Sequence, residues 1–136
     1  MKYPKVGKSM SGKIDISKLN TPPEKHELDT AKYFAELGYD IEFIRPSNIP
    51  EIHTPDILMD GIEWEIKCPK GKGKRTIENC FRQAVLQSDC IIFDLRKSNR
   101  AEEKIIKELE RRFDQKRGVK RLLVIKRNGS LIKFDR

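Results

Sequence analysis

Apolar residues recur along this chain with periods that change several times, and each change marks an element. Leu28, Ala31, Phe34 and Ala35 return at helical spacing and predict a helix over 21–37. Thr21-Pro22-Pro23-Glu24 reads as its start, with Thr21 as N-cap, a proline in the first turn and Glu24 closing a capping box; Gly38 is its stop. Residues 39–44 then alternate as a strand. Two further short strands flank Asp60-Gly61, the strongest local hairpin signal there is. With those residues at the centre of the turn, Met59 faces Ile62, Leu58 faces Glu63, Ile57 faces Trp64 and Asp56 faces Glu65.

Beyond Lys67 a loop rich in lysine and glycine leads to Ile77, Phe81, Ala84, Val85 and Ser88, which mark a second amphipathic helix and leave Gln83 and Gln87 stacked on another face. Residues 90–95 are a continuous apolar run. Strand, helix and buried strand make a crossover, so this run is expected parallel to the strand that carries Glu65 and covered on both faces. Residues 99–116 read as a long helix with Asn99 and Glu102 as capping box and Ile105, Ile106, Leu109 and Phe113 as core stripe. A closing hairpin of 122–126 and 131–134 turns at Asn128-Gly129. The predicted class is α/β, with a mixed central sheet of a three-stranded antiparallel meander plus a parallel fourth strand, flanked by helices. Residues 1–20 have few apolar positions and no period, and read as a flexible lead to one domain over 21–136.

Composition sharpens this picture in two places. The formal net charge of +8 favours a polyanionic partner, and nucleic acid is the usual one. No apolar run approaches the 18 or so residues of a membrane span, no signal-peptide core is visible, and no strongly basic amphipathic helix supports a membrane surface as partner. Cys68, Cys80 and Cys90 lack CxxC spacing and indicate neither a zinc site nor a disulfide framework.

The candidate chemistry sits on the predicted hairpin. Alternation puts Glu63, Glu65 and Lys67 on one face of the second strand, and the register sets Asp56 on the same face. Directly opposed carboxylates about 5 Å apart repel by roughly 3 kcal/mol at an effective dielectric of about 20. Lys67 offsets part of that, and a divalent cation offsets more, since paired carboxylate oxygens suit Mg²⁺. An ordinary solvated hairpin with charges on its wet face is the simpler alternative for any single residue. The loop 68–75 brings Lys70, Lys72, Lys74 and Arg75 beside the acids, either as a solvated basic loop or as a contact to a nucleic-acid backbone.

Pro55-Asp56, eight intervening residues, then Glu65-Ile66-Lys67 resembles the PD-(D/E)XK nuclease signature. The predicted element order is similar to the restriction-endonuclease-like core of that superfamily. The runs His26–Ile44, Pro55–Gly61, Gln83-Ala84 and Ser88–Leu95 look like the CdiA-type C-terminal nuclease domains of bacterial contact-dependent inhibition. The resemblance implies Asp56 and Glu65 as metal ligands, Lys67 serving the attacking water, Glu27 completing the metal shell and Gln83 facing the site; Glu24 competes with Glu27. It implies Mg²⁺ or Mn²⁺ as cofactor, tRNA as substrate and a cognate immunity protein as partner. It also implies delivery into the cytoplasm of a target bacterial cell as the C-terminal part of a secreted or surface protein. Hydrolysis by an activated water needs no ribose 2′-hydroxyl, so 5′-phosphate and 3′-hydroxyl ends are expected. Two alternatives share the residues: a DNA endonuclease of repair, recombination or a mobile element, and an inactive nucleic-acid-binding module.

Overall fold

In the computed structural model, residues 11–71 and 73–136 are described. The chain divides into two compact units, one ending at Trp64 and one running from Glu65 to Arg136. The first holds β1 (Ile14–Asp15), α1 (Lys25–Glu36), β2 (Ile41–Phe43), β3 (Ile57–Met59) and the start of β4 (Ile62–Lys67). The second holds the rest of β4, then α2 (Thr76–Gln87), β5 (Cys90–Asp94), α3 (Glu102–Gln115), β6 (Arg121–Ile125) and β7 (Leu131–Asp135). Because β4 belongs to both, the hydrogen-bonded strand order runs from β1 to β7 in sequence order. The chain is thus mixed α/β, with seven strands and three helices among the described residues.

In the first unit, β2, β3 and β4 form the expected antiparallel meander. Asp60 at φ 55° and Gly61 at φ 75° supply the two left-handed residues that a type I′ turn requires, and the ladder pairs Met59 with Ile62, Leu58 with Glu63 and Ile57 with Trp64, as the turn dictates. Helix α1 buries Thr30, Ala31, Phe34 and Ala35; Leu28 is only half-buried. It ends in a Schellman arrangement, with Gly38 at φ 101°, its N–H on Ala35 O and the Tyr39 N–H on Phe34 O.

The start of α1 differs from expectation. The helix begins at Lys25, the N-cap position is Glu24 in extended backbone, and no side chain caps it. Each residue that precedes a proline is pushed out of the helical region, so Thr21 and Pro22 cannot begin a helix that Pro23 would continue. Of the lead over 1–20, residues 1–10 lie outside the described residues, and Ile14–Asp15 pairs in parallel with β2. Gly12 makes this docking possible. Its N–H donates to Ala35 O at 2.6 Å, and a Cβ there would lie 1.8 Å from the Tyr39 carbonyl oxygen.

In the second unit, β4, β5 and β6 are mutually parallel and β7 returns antiparallel to β6. Every residue of β5 is buried, and α2 and α3 cover it with Ile77, Phe81, Ala84, Ile105, Leu109 and Phe113. The Phe81 and Phe93 rings stack 6.4 Å apart. Helix α3 starts at Glu102, not Asn99, and the expected capping box is absent. Glu102 instead accepts the Arg127 N–H at 2.7 Å and lies 3.9 Å from the Lys126 ammonium, so a long-range partner wins over the local cap.

Candidate active site

Asp56 is fixed by its own backbone. Its N–H donates to the Trp64 carbonyl at 3.0 Å and its carbonyl accepts the Ile44 N–H at 3.0 Å. Ile57 is already the ladder partner of Trp64, so two consecutive residues oppose one, which is the pattern of a β-bulge. The simple register predicted from the turn therefore holds for three pairs and gives way at Asp56. A bulge re-aims the side chain it carries, and Asp56 lines a cleft of about 370 Å³ within the first unit.

The same cleft is lined by Glu24 and Glu27 at the start of α1, by Arg45 after β2, and by Thr21-Pro22-Pro23 along one rim. Glu27 lies in the first helical turn, and its side chain is 23% exposed against 74% for Glu24. The structure thus brings Asp56 and Glu27 to one cleft, and puts Glu24 in the same place but in water. His26 joins the acids, with Nδ1 3.3 Å from Glu24 Oε2 and Nε2 4.0 Å from Glu27 Oε2. Ligand atoms of Glu24, His26 and Glu27 lie within 4.8 Å of one another. His26 and Arg45 were not singled out from sequence; the Glu-x-His-Glu spacing on a first helical turn was the signal for the former, whereas nothing local marked Arg45.

In the second unit, Glu65 is 6% exposed and its Oε2 lies 3.6 Å from the Lys67 ammonium. Alternation predicted Glu65 on a polar face, yet Trp64, Glu65 and Ile66 are all buried. Burial pushes the Cys80 thiol on α2 above its ordinary range, and the positive charge of Lys67 pulls it partly back, so Lys67 and the Cys80 edge of α2 feel each other. Gln83 is exposed, one turn beyond Cys80 and displaced from the buried stripe of Ile77, Phe81 and Ala84. Lys70, Lys74 and Arg75 are exposed on the loop after β4, with Arg75 Nε 3.7 Å from Glu78; Lys72 lies outside the described residues.

Carboxylate oxygens at Glu27 and Asp56, which line one cleft of the first unit, are hard donors that suit Mg²⁺ or Mn²⁺ better than a thiophilic metal. No helix among the described residues is long and apolar enough to cross a membrane.

A family model described as the contact-dependent growth inhibition CdiA C-terminal domain matches residues 53–131, more than half of the chain. Among solved structures, a chain of the CdiA-CT/CdiI toxin and immunity complex from Burkholderia pseudomallei is similar in fold, with a TM-score of 0.62 and 18% identity. The similarity covers 92% of this chain and 100% of that one. No curated protein matches.

Proposed function

Because the chain belongs to the family of contact-dependent growth inhibition CdiA C-terminal domains, we propose that it is a toxin domain that hydrolyses phosphodiester bonds in tRNA with a divalent cation, through a PD-(D/E)XK site. The observation that carries the proposal is the cleft that gathers Glu27 and Asp56: one residue was implied by the family resemblance, the other by the hairpin, and they come together in one unit. Asp56, Glu65 and Glu27 are assigned as the metal ligands. A Mg²⁺ or Mn²⁺ held there would supply charge neutralisation at the phosphate and would make water a better nucleophile at neutral pH.

The protein groups do the rest. Lys67, anchored by Glu65 at 3.6 Å, is a proton donor that can orient the attacking water and meet the growing negative charge on phosphate. Gln83, exposed on α2, offers an amide to the substrate. Lys70, Lys74 and Arg75, with Lys72 assigned from sequence alone, meet the flanking phosphates. The leaving group is the ribose 3′-oxygen, so the products carry 5′-phosphate and 3′-hydroxyl ends. The toxin and immunity complex named for the similar structure supports a cognate immunity protein as partner, and membership of the family supports action in the cytoplasm of a target cell.

Purified protein incubated with total tRNA or plasmid DNA, with Mg²⁺ and with excess EDTA, tests this directly. Cleavage of tRNA that stops in EDTA is expected. Full cleavage in EDTA removes the metal mechanism, and equal or faster cutting of plasmid makes the chain a DNA endonuclease.

A further inference from the structure

We propose that the three loops following β4, β5 and β6 form one phosphate-binding surface for a nucleic-acid backbone, held together by Arg100 and Arg127. It rests on the nucleic-acid reading above and extends it well beyond the loop 68–75. Since β4, β5 and β6 are mutually parallel, their carboxyl ends lie along a single edge of the second unit. The segments that leave it are 68–75, 95–101 and 126–130, and they carry Lys70, Lys74, Lys97, Arg100, Lys126 and Arg127.

Cations crowded on three adjoining loops repel, so something must hold the loops in place. The Arg100 Nη1 donates to the Gly73 carbonyl at 2.9 Å, tying the second loop to the first. Arg127 Nε donates to the Ser98 carbonyl at 2.7 Å and its Nη2 to the Arg100 carbonyl, tying the third loop to the second. The acceptors of both guanidiniums are neutral carbonyls, so each arginine orders a loop while keeping its positive charge for an outside partner. A guanidinium carries five N–H donors in a fixed fork, enough to bind carbonyls and still face a phosphate. The described carboxylates at this edge are engaged: Asp94 is gripped by Arg96 at 2.8 Å, and Glu102 holds the Arg127 N–H and lies 3.9 Å from the Lys126 ammonium, a contact loose enough for a phosphate to replace. Lys67, at the end of β4, shares the edge, so a backbone lying across the loops passes beside it.

The test is binding of fluorescent total tRNA in excess EDTA, followed by polarisation across a KCl series. Lys97→Ala with Lys126→Ala should weaken binding and lower the slope of log affinity against log salt by up to about 1.4 to 1.8, the value for two full phosphate contacts. Lys107→Ala with Arg111→Ala, on the exposed face of α3, should leave the slope unchanged. Arg100→Lys keeps the charge and loses the fork, so amide exchange across 70–75 should quicken while most of the slope survives. An unchanged slope in the Lys97/Lys126 variant overturns the proposal; so does an equal loss in the α3 variant, or no measurable binding by the parent at low salt. Cleavage with Mg²⁺ is scored on the same tRNA. Binding through this edge without cleavage leaves the surface standing and removes the nuclease, whereas cleavage with an insensitive slope does the reverse.

Discussion

Removing Lys67 tests whether Glu65 is a buried acid that the protein tolerates for its chemistry. The side chains of Glu65 and Lys67 are 8% and 20% exposed and their charges lie 3.6 Å apart. At an effective dielectric of about 20 the raw attraction is roughly 5 kcal/mol. Desolvation cancels much of that, and the exposed fifth of Lys67 lets water screen more, so a coupling of about 1–2 kcal/mol is expected. The two single variants should differ in a definite order. Lys67→Met leaves a buried carboxylate facing a methyl group and should cost about 2–3 kcal/mol. Glu65→Gln leaves an ammonium that can extend toward water, and should cost about 1 kcal/mol. The double variant should then be more stable than the sum of the two losses predicts. Urea denaturation in excess EDTA measures all four corners of the cycle, with the slope on urea checked for constancy. All three variants should lose cleavage. Additivity within about 0.5 kcal/mol would mean that the pair is effectively solvated, and a larger loss in Glu65→Gln than in Lys67→Met would refute the buried-acid argument.

Asp56→Asn keeps the shape of the bulge and removes a charge from an acidic cleft; it should abolish cleavage, leave the metal-free melting temperature equal or higher, and shrink the rise in melting temperature that Mg²⁺ gives the parent. A variant that melts well below the parent without metal would make Asp56 structural. Burial raises the Cys80 thiol pKa and Lys67 lowers it, so the folded protein should react with iodoacetamide at Cys80 more slowly than a free cysteine at pH 8, and Lys67→Met should slow it further because less thiolate is present. An unchanged or faster rate in that variant would separate Lys67 from Cys80. Gly12→Ala should destabilise the protein by at least about 2 kcal/mol in urea melts, because a Cβ 1.8 Å from the Tyr39 carbonyl cannot be accommodated without moving backbone. A cost below about 0.5 kcal/mol would mean that residues 11–20 do not dock as described.

Elements fixed by local chemistry were legible in the sequence. Asp60-Gly61 set a two-residue turn and with it three ladder pairs, and the apolar run 90–95 announced a strand buried on both faces beside β4. Features that depend on distant partners were not. Strand β1 is two residues long and relies on Gly12 meeting Ala35 and Tyr39, a contact that no periodicity in residues 11–20 encodes. Asn99 and Glu102 have the spacing of a capping box, but Glu102 is drawn to Arg127. The candidate site divides the same way: the turn sets the ladder as far as Ile57 and Trp64, whereas Asp56 leaves that register at a bulge, and Glu27 came only through resemblance and joined Asp56 once α1 and the β2–β3 connection were placed. Arg100 and Arg127 act on carbonyls, and such contacts leave no complementary charge in the sequence to find.

The hairpin departs from strand regularity at the two acids that the spacing singled out. Asp56 interrupts the ladder by giving its N–H to a carbonyl already opposite Ile57. Glu65 interrupts the alternation by being buried between Trp64 and Ile66. Each departure has a cost: a bulge gives up a regular pair, and a buried carboxylate loses hydration that leucine at the same position would not. Departures of this kind are expected at functional or strained sites, and cleavage by the Asp56→Asn and Glu65→Gln variants distinguishes the two. The same turn chemistry that makes the hairpin easy to predict is what lets it carry two unfavourable acids and still form.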